Sequence, residues 1–214
     1  MLLEDKTMLS EYIENNYKAG EPIFEADVQI EGMSDNNLRQ SFKVLCDSGK
    51  IKRYDKGIYY IPKESRLKGN QTLPASRVIS SRYITRHGQI SGYYSGYVFA
   101  NQIGLTSQVP FSIEIVTNYA SRNYREVEYS GQKVILRKPK AEVTDRNWKI
   151  LQLLDLLKDA DKYADTETAG VAGRVRKYVR DNDISKADVD ELIQLYPDRI
   201  YRIIYEMELY DVFT

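Results

Sequence analysis

The side chains best suited to chemistry in this sequence are hydrogen-bonding and cationic groups, and they fall into three sets. The first is Ser34, Asn36, Asn37, Arg39, Gln40 and Lys43. An arginine can bond guanine through two parallel N–H groups, and Asn or Gln can do the same for adenine, so this set suits the major groove of a DNA duplex. Directly behind it come Lys50, Lys52, Arg53 and Lys56, which suit phosphates. Phosphate contacts fix a protein's position on DNA without reporting its sequence. The third set is Arg77, Arg82, Arg86, Arg122, Arg125, Arg137 and Lys138, interleaved with Tyr93, Tyr94, Tyr97, Tyr119, Tyr124 and Tyr129. These arginines and lysine would form a second basic surface for nucleic acid, duplex or RNA, while the phenol rings would stack on unpaired bases or fill a small core. Any one residue is explained as well by a solvated helix face, or by a lysine that blunts an edge strand. Taken together and in this order, the first two sets point to DNA binding.

Catalysis needs convergent groups, and the sequence offers few. His87, the one histidine, stands beside Gly88, where closing the end of a helix is the commoner role. Glu114, Glu126, Glu128 and Lys133 lack the compact carboxylate and lysine spacing of a magnesium nuclease. Alternation along a strand would put Glu126 and Glu128 on one face, within reach of Lys133 or Arg137. There is no glycine-rich phosphate loop ending in Lys-Ser or Lys-Thr. A lone cysteine, Cys46, rules out an intrachain disulfide and a cysteine-based zinc site. The expectation is a protein that is not an enzyme and that uses no metal or cofactor.

What must position the first two sets is a helix and a hairpin. Leu38, Phe42 and Leu45 recur at four and then three residues, which places them on one face and Asn36, Arg39, Gln40 and Lys43 on the other. Ser34 or Asp35 can cap the start of that helix, and Ser48-Gly49 can end it. Residues 51–54 and 58–61, joined by Asp55-Lys56-Gly57, read as a hairpin. Ahead of them, the spacing predicts a first helix over 7–17, an extended segment over 22–24 and a short second helix over 25–30. Three helices followed by a basic hairpin are the sequence form of a winged helix-turn-helix. Further on, the pattern predicts helices over 75–86 and 94–103, a strand over 112–118, and a hairpin of residues 125–129 and 132–137. A strongly patterned helix over 145–157, capped by Thr144, precedes a tail that reads as helical throughout, with Ser185 starting one of its helices.

The expected fold class is therefore α+β. A winged helix-turn-helix domain over 1–64 is followed by a linker over 65–73. A mixed α/β domain over 74–214 has a small antiparallel sheet and a helical C-terminal part. Basic and acidic residues balance at 31 each, but unevenly along the chain. Residues 65–140 hold eleven basic and three acidic side chains, whereas residues 1–33 hold two and eight. A basic middle fits a polyanionic partner. No apolar run approaches the length of a membrane span, and the first residues lack the basic start and apolar core of a signal peptide, so the expected location is cytoplasmic, with no membrane partner.

The stretch Y-S-G-Y-V-F-A-N-Q-I-G-L-T-S-Q-V-P at residues 94–110, followed by I-E-I-V-T at 113–117, resembles the AbiEi antitoxins of type IV toxin–antitoxin and abortive-infection systems. The likeness takes in K-G-I-Y-Y-I-P at 56–62 and runs to about residue 164. It implies a transcriptional repressor that binds double-stranded operator DNA with inverted repeats through its winged helix. It also implies a second domain that counters a nucleotidyltransferase-like toxin without forming a stable complex, in the service of phage defence.

Overall fold

The computed structural model describes residues 2–63, 72–163 and 168–214. The chain divides into two compact units, Met1–Val78 and Ile79–Thr214. Most of the expected linker, residues 65–71, lies outside the described residues.

In the first unit, α1 (Leu2–Asn16) leads through a turn into β1 (Pro22–Phe24). Next come α2 (Asp35–Asp47), β2 (Lys52–Asp55) and β3 (Ile58–Tyr60). The three strands form one antiparallel sheet in the order β1-β3-β2. Leu9 and Ile13 of α1, Ile23, Val28 and the α2 residues Leu38, Phe42 and Leu45 make the core. Removing such side chains from water contributes about 1.5–3 kcal/mol each. The helix expected over 25–30 is a correction: only one 3-10 turn, Glu25–Asp27, forms there. The backbone is extended at Val28, which is buried, and Glu25 is already tied to the hairpin by its N–H bond to the Gly57 carbonyl.

α3 (Ala75–Tyr83) follows, and the division between the two units falls within it. Helix geometry stops at Tyr83, three residues short of the expected end. The β-branched Thr85 and its neighbour Arg86 form β4 (Thr85–Arg86), which pairs with β5 (Gln89–Ile90) across His87 and Gly88. Both turn residues have positive φ, 51° and 80°, as a tight two-residue hairpin requires, so His87 closes a β-turn and not a helix.

β6 (Gly92–Ser95) replaces the start of the helix expected at 94, and α4 (Gly96–Gln102) begins only after it. Gly92 cannot be another residue without a backbone shift, since a Cβ there would lie 2.2 Å from the Tyr83 carbonyl and 2.6 Å from that of Val116. β7 (Ser112–Thr117), β8 (Arg125–Tyr129) and β9 (Gln132–Arg137) complete a sheet in the order β6-β7-β9-β8. Its outer pairings are antiparallel and its central one, β7 with β9, is parallel, so the sheet is mixed where an antiparallel one was expected.

α5 (Trp148–Lys158) packs against the edge strand β6 and is buried at every residue from Ile150 to Leu157. It starts three residues later than expected. Asn147 accepts from the Thr144 N–H and donates to the Glu142 carbonyl, holding residues 144–147 in a turn, so Thr144 is not the cap. The remaining helices are α6 (Ala160–Tyr163), α7 (Thr168–Asp181), α8 (Lys186–Ile193) and α9 (Arg199–Glu206). Ser185 caps α8 by accepting from the Asp188 N–H at 3.2 Å. The two polar residues within the buried stretch of α5 are both satisfied. Gln152 donates to the Tyr94 carbonyl at 2.7 Å and accepts from Tyr178 at 2.8 Å, and Asp155 accepts from the Tyr93 hydroxyl at 2.7 Å. Among the described residues no helix is long and apolar enough to cross a membrane.

Candidate nucleic-acid interface

α2 carries its two faces as the spacing of Leu38, Phe42 and Leu45 dictates: those three are buried, and Asn36, Arg39, Gln40 and Lys43 are exposed. Its start is fixed by Ser34, whose hydroxyl accepts from the Asn37 N–H at 3.3 Å. Ser34 is thus engaged in holding the helix, although it remains exposed. Its orientation relative to the hairpin is set by Phe42, whose ring stacks on Tyr59 of β3 with centroids 4.4 Å apart and planes at 19°.

Two residues of the expected interface point elsewhere. Asn37 is half-buried and donates to the Asp5 carboxylate on α1 at 3.0 Å. Lys50 turns back toward α1, donating to Ser10 at 3.0 Å and lying 3.6 Å from Glu14. Both are engaged inside the unit, where an acidic first helix offers acceptors that a phosphate would otherwise supply. Of the hairpin cations, Lys52 is half-buried and Arg53 donates to the Asp55 carbonyl at 3.3 Å. Lys56 stands exposed at the tip. Arg39 is exposed but lies 3.3 Å from Glu25. Glu25 also accepts from the Tyr59 hydroxyl at 3.4 Å, so one carboxylate touches both the helix and the hairpin. No sequence signal marks Glu25 or Tyr59 for these roles, because their partners lie far along the chain. Burial pushes the Cys46 thiol above its ordinary range, which makes it a poor nucleophile.

The third set separates. Arg77 belongs to the first unit, and the other six lie in the second. Arg137 is held 2.6 Å from Glu114, an ion pair within the unit. Arg86 lies over the Tyr119 ring at 4.5 Å from its centroid, and Arg82 lies 6.0 Å from that of Tyr83. Arg122 and Arg125 are exposed and, with Ser121, Tyr124 and Glu126, line a shallow depression beside β8. Lys138 is exposed. The tyrosines divide as well: Tyr93 and Tyr129 are buried, Tyr94 is half-buried, and Tyr97, Tyr119 and Tyr124 are exposed. Tyr129 meets the Tyr83 hydroxyl at 2.9 Å.

The segment G-L-T-S-Q-V-P is a braced loop. Asn101 of α4 donates to the carbonyls of Thr106 and Gln108, both at 3.2 Å, while Leu105 is fully buried. No group of three or more His, Cys, Asp or Glu among the described residues has the geometry to hold a metal ion.

One family model matches residues 9–161, which takes in every candidate residue above. The chain belongs to the DUF6088 family. DUF6088 is described as a family of unknown function, so membership supplies no activity. No curated protein matches this DUF6088 chain. The matched span ends within α6, leaving α7, α8 and α9 beyond it.

Proposed function

We propose that this DUF6088 chain is the antitoxin of a type IV toxin–antitoxin pair and represses its own operon by binding operator DNA. In this reading residues 1–64 are a winged helix-turn-helix, with α2 as the recognition helix and the β2–β3 hairpin as the wing. The observation that carries it is the split of α2: Asn36, Arg39, Gln40 and Lys43 all face outward from a helix whose other side is packed. Arg53 and Lys56 on the adjoining hairpin supply phosphate contacts that position this face. The resemblance to AbiEi antitoxins supports the wider role, in which the second unit counters a nucleotidyltransferase-like toxin without a stable complex. Arg82, Arg86, Arg122, Arg125 and Lys138 are then a second nucleic-acid surface, and no residue has a catalytic part.

Footprinting of the full chain on the DNA upstream of its own reading frame tests this. The expected result is protection of an inverted repeat. Gln40→Ala should weaken it by about 1–3 kcal/mol on the cognate site and less on scrambled DNA. A second reading, a module that docks RNA or protein through the same unit, is favoured by the Arg39–Glu25 pair, which keeps that guanidinium occupied in the free chain. Absence of any footprint would select it.

A further inference from the structure

The loop between β7 and β8, together with the first residue of β8, brings exposed phenol rings and exposed arginines together. Tyr119 and Tyr124 are 43% and 48% exposed, and each has an arginine over one side of its ring: Arg86 at 4.5 Å from the first centroid and Arg137 at 5.5 Å from the second. The Tyr124 hydroxyl donates to the Glu126 carboxylate, which fixes the ring in place. Between and beside these rings, Arg122 and Arg125 are exposed. A ring backed by a cation, held still and open to solvent elsewhere is a surface on which a nucleobase stacks at little entropic cost. Duplex bases present no free π-face, whereas unpaired ones do. Tyr119 and Tyr124 lie five residues apart, so even a fully extended backbone separates their Cα atoms by at most about 17 Å, the reach of a few nucleotides.

We propose that this loop is a binding site for single-stranded nucleic acid, in which Tyr119 and Tyr124 stack on bases and Arg122 and Arg125 meet the backbone phosphates. This rests on the reading of the second unit as a nucleic-acid surface and narrows it to unpaired strands. Glu126 also lines the depression, where its carboxylate accepts from the Tyr124 hydroxyl and opposes phosphate.

The test is fluorescence anisotropy of the full chain with labelled dodecamers of uridylate and of thymidylate, and with an unrelated blunt duplex. The single strands should bind more tightly than the duplex, and preference between the two strands identifies RNA or DNA as the source. Tyr119→Leu and Tyr124→Leu should each weaken single-strand binding on the order of ten-fold. Tyr124→Phe, which keeps the ring but loses the hydroxyl tie to Glu126, should fall between the native value and that of Tyr124→Leu. Arg122→Gln should lower the slope of log affinity against log salt by about 0.7. All four should leave protection of the inverted repeat unchanged, which separates this site from the operator-binding face. Tighter binding to the duplex, unchanged affinity in both leucine variants, or loss of single-strand binding in Arg39→Ala instead, would overturn the proposal. Thermal melts that match the native chain exclude unfolding as the cause of any loss.

Discussion

On the proposed role of α2 as a recognition helix, replacing Glu25 by glutamine should tighten operator binding, because Arg39 must leave that carboxylate before its guanidinium can reach a guanine edge. The pair is 3.3 Å apart, with the Arg39 side chain 68% exposed and that of Glu25 22% exposed. Ion pairs open to water to this degree contribute about 0.2–1 kcal/mol, so releasing one should raise affinity roughly 1.4- to 5-fold. Glutamine keeps an oxygen that can accept from the Tyr59 hydroxyl, so the link between helix and hairpin persists. The assay is a titration of full-length protein into labelled cognate and scrambled duplexes at one fixed salt concentration, since electrostatic affinity is meaningless without it. Arg39→Ala alone should cost about 1–3 kcal/mol on the cognate duplex, roughly 5- to 150-fold. The gain from Glu25→Gln should vanish when Arg39 is already alanine. A gain of equal size in that background would mean that Glu25 acts only by repelling DNA, and a loss of cognate binding in Glu25→Gln would refute the reasoning outright.

Lys56→Ala should weaken binding to every DNA sequence alike and reduce the salt slope by about 0.9, whereas Lys50→Ala should change neither in a gel-shift titration. Tyr93→Phe removes the hydroxyl that donates to buried Asp155 and should destabilise by about 1.5–3 kcal/mol, lowering the calorimetric midpoint by roughly 5–10 °C. Burial holds the Asp155 carboxyl above the ordinary aspartate range, with Tyr93, Tyr196 and Lys158 facing it. The folded chain therefore keeps this proton more tightly than the unfolded chain. The stability it contributes is present below about pH 4 and is lost as pH rises through the folded value. Asp155→Asn should accordingly gain stability relative to the native chain as pH increases across that window, and urea midpoints that keep a constant difference would contradict it. Leu154→Ala, at a fully buried position of α5, should destabilise by about 2–5 kcal/mol in the same urea assay.

The elements legible in the sequence were those whose signal is local. α2 is set by the spacing of Leu38, Phe42 and Leu45 and by the Ser34 cap, and the β8–β9 hairpin by alternation around Ser130-Gly131. What stayed hidden depends on distant partners. Residues 25–30 have helix-forming composition, yet the tie from Glu25 to Gly57 leaves only one turn. The β6 strand is hidden because its pairing with β7 bridges more than twenty residues, as Tyr93 opposite Val116 illustrates. In the candidate interface, the outward face of α2 was readable from period alone. The withdrawal of Asn37 and Lys50 toward α1 was not, because nothing in a list of polar residues says which carboxylate they will find.

Because α5 is enclosed on all sides, the tail beyond the family-matched span cannot be an optional appendage. Leu151, Leu153, Leu154 and Leu157 share one core with Val175, Val189, Ile200 and Ile204 of the later helices. Cutting the gene at codon 161 would strip that cover and leave a row of bare leucines, so the shortened product should precipitate on expression. The family-matched span is thus an incomplete folding unit in this chain, closed only by the helices that follow it.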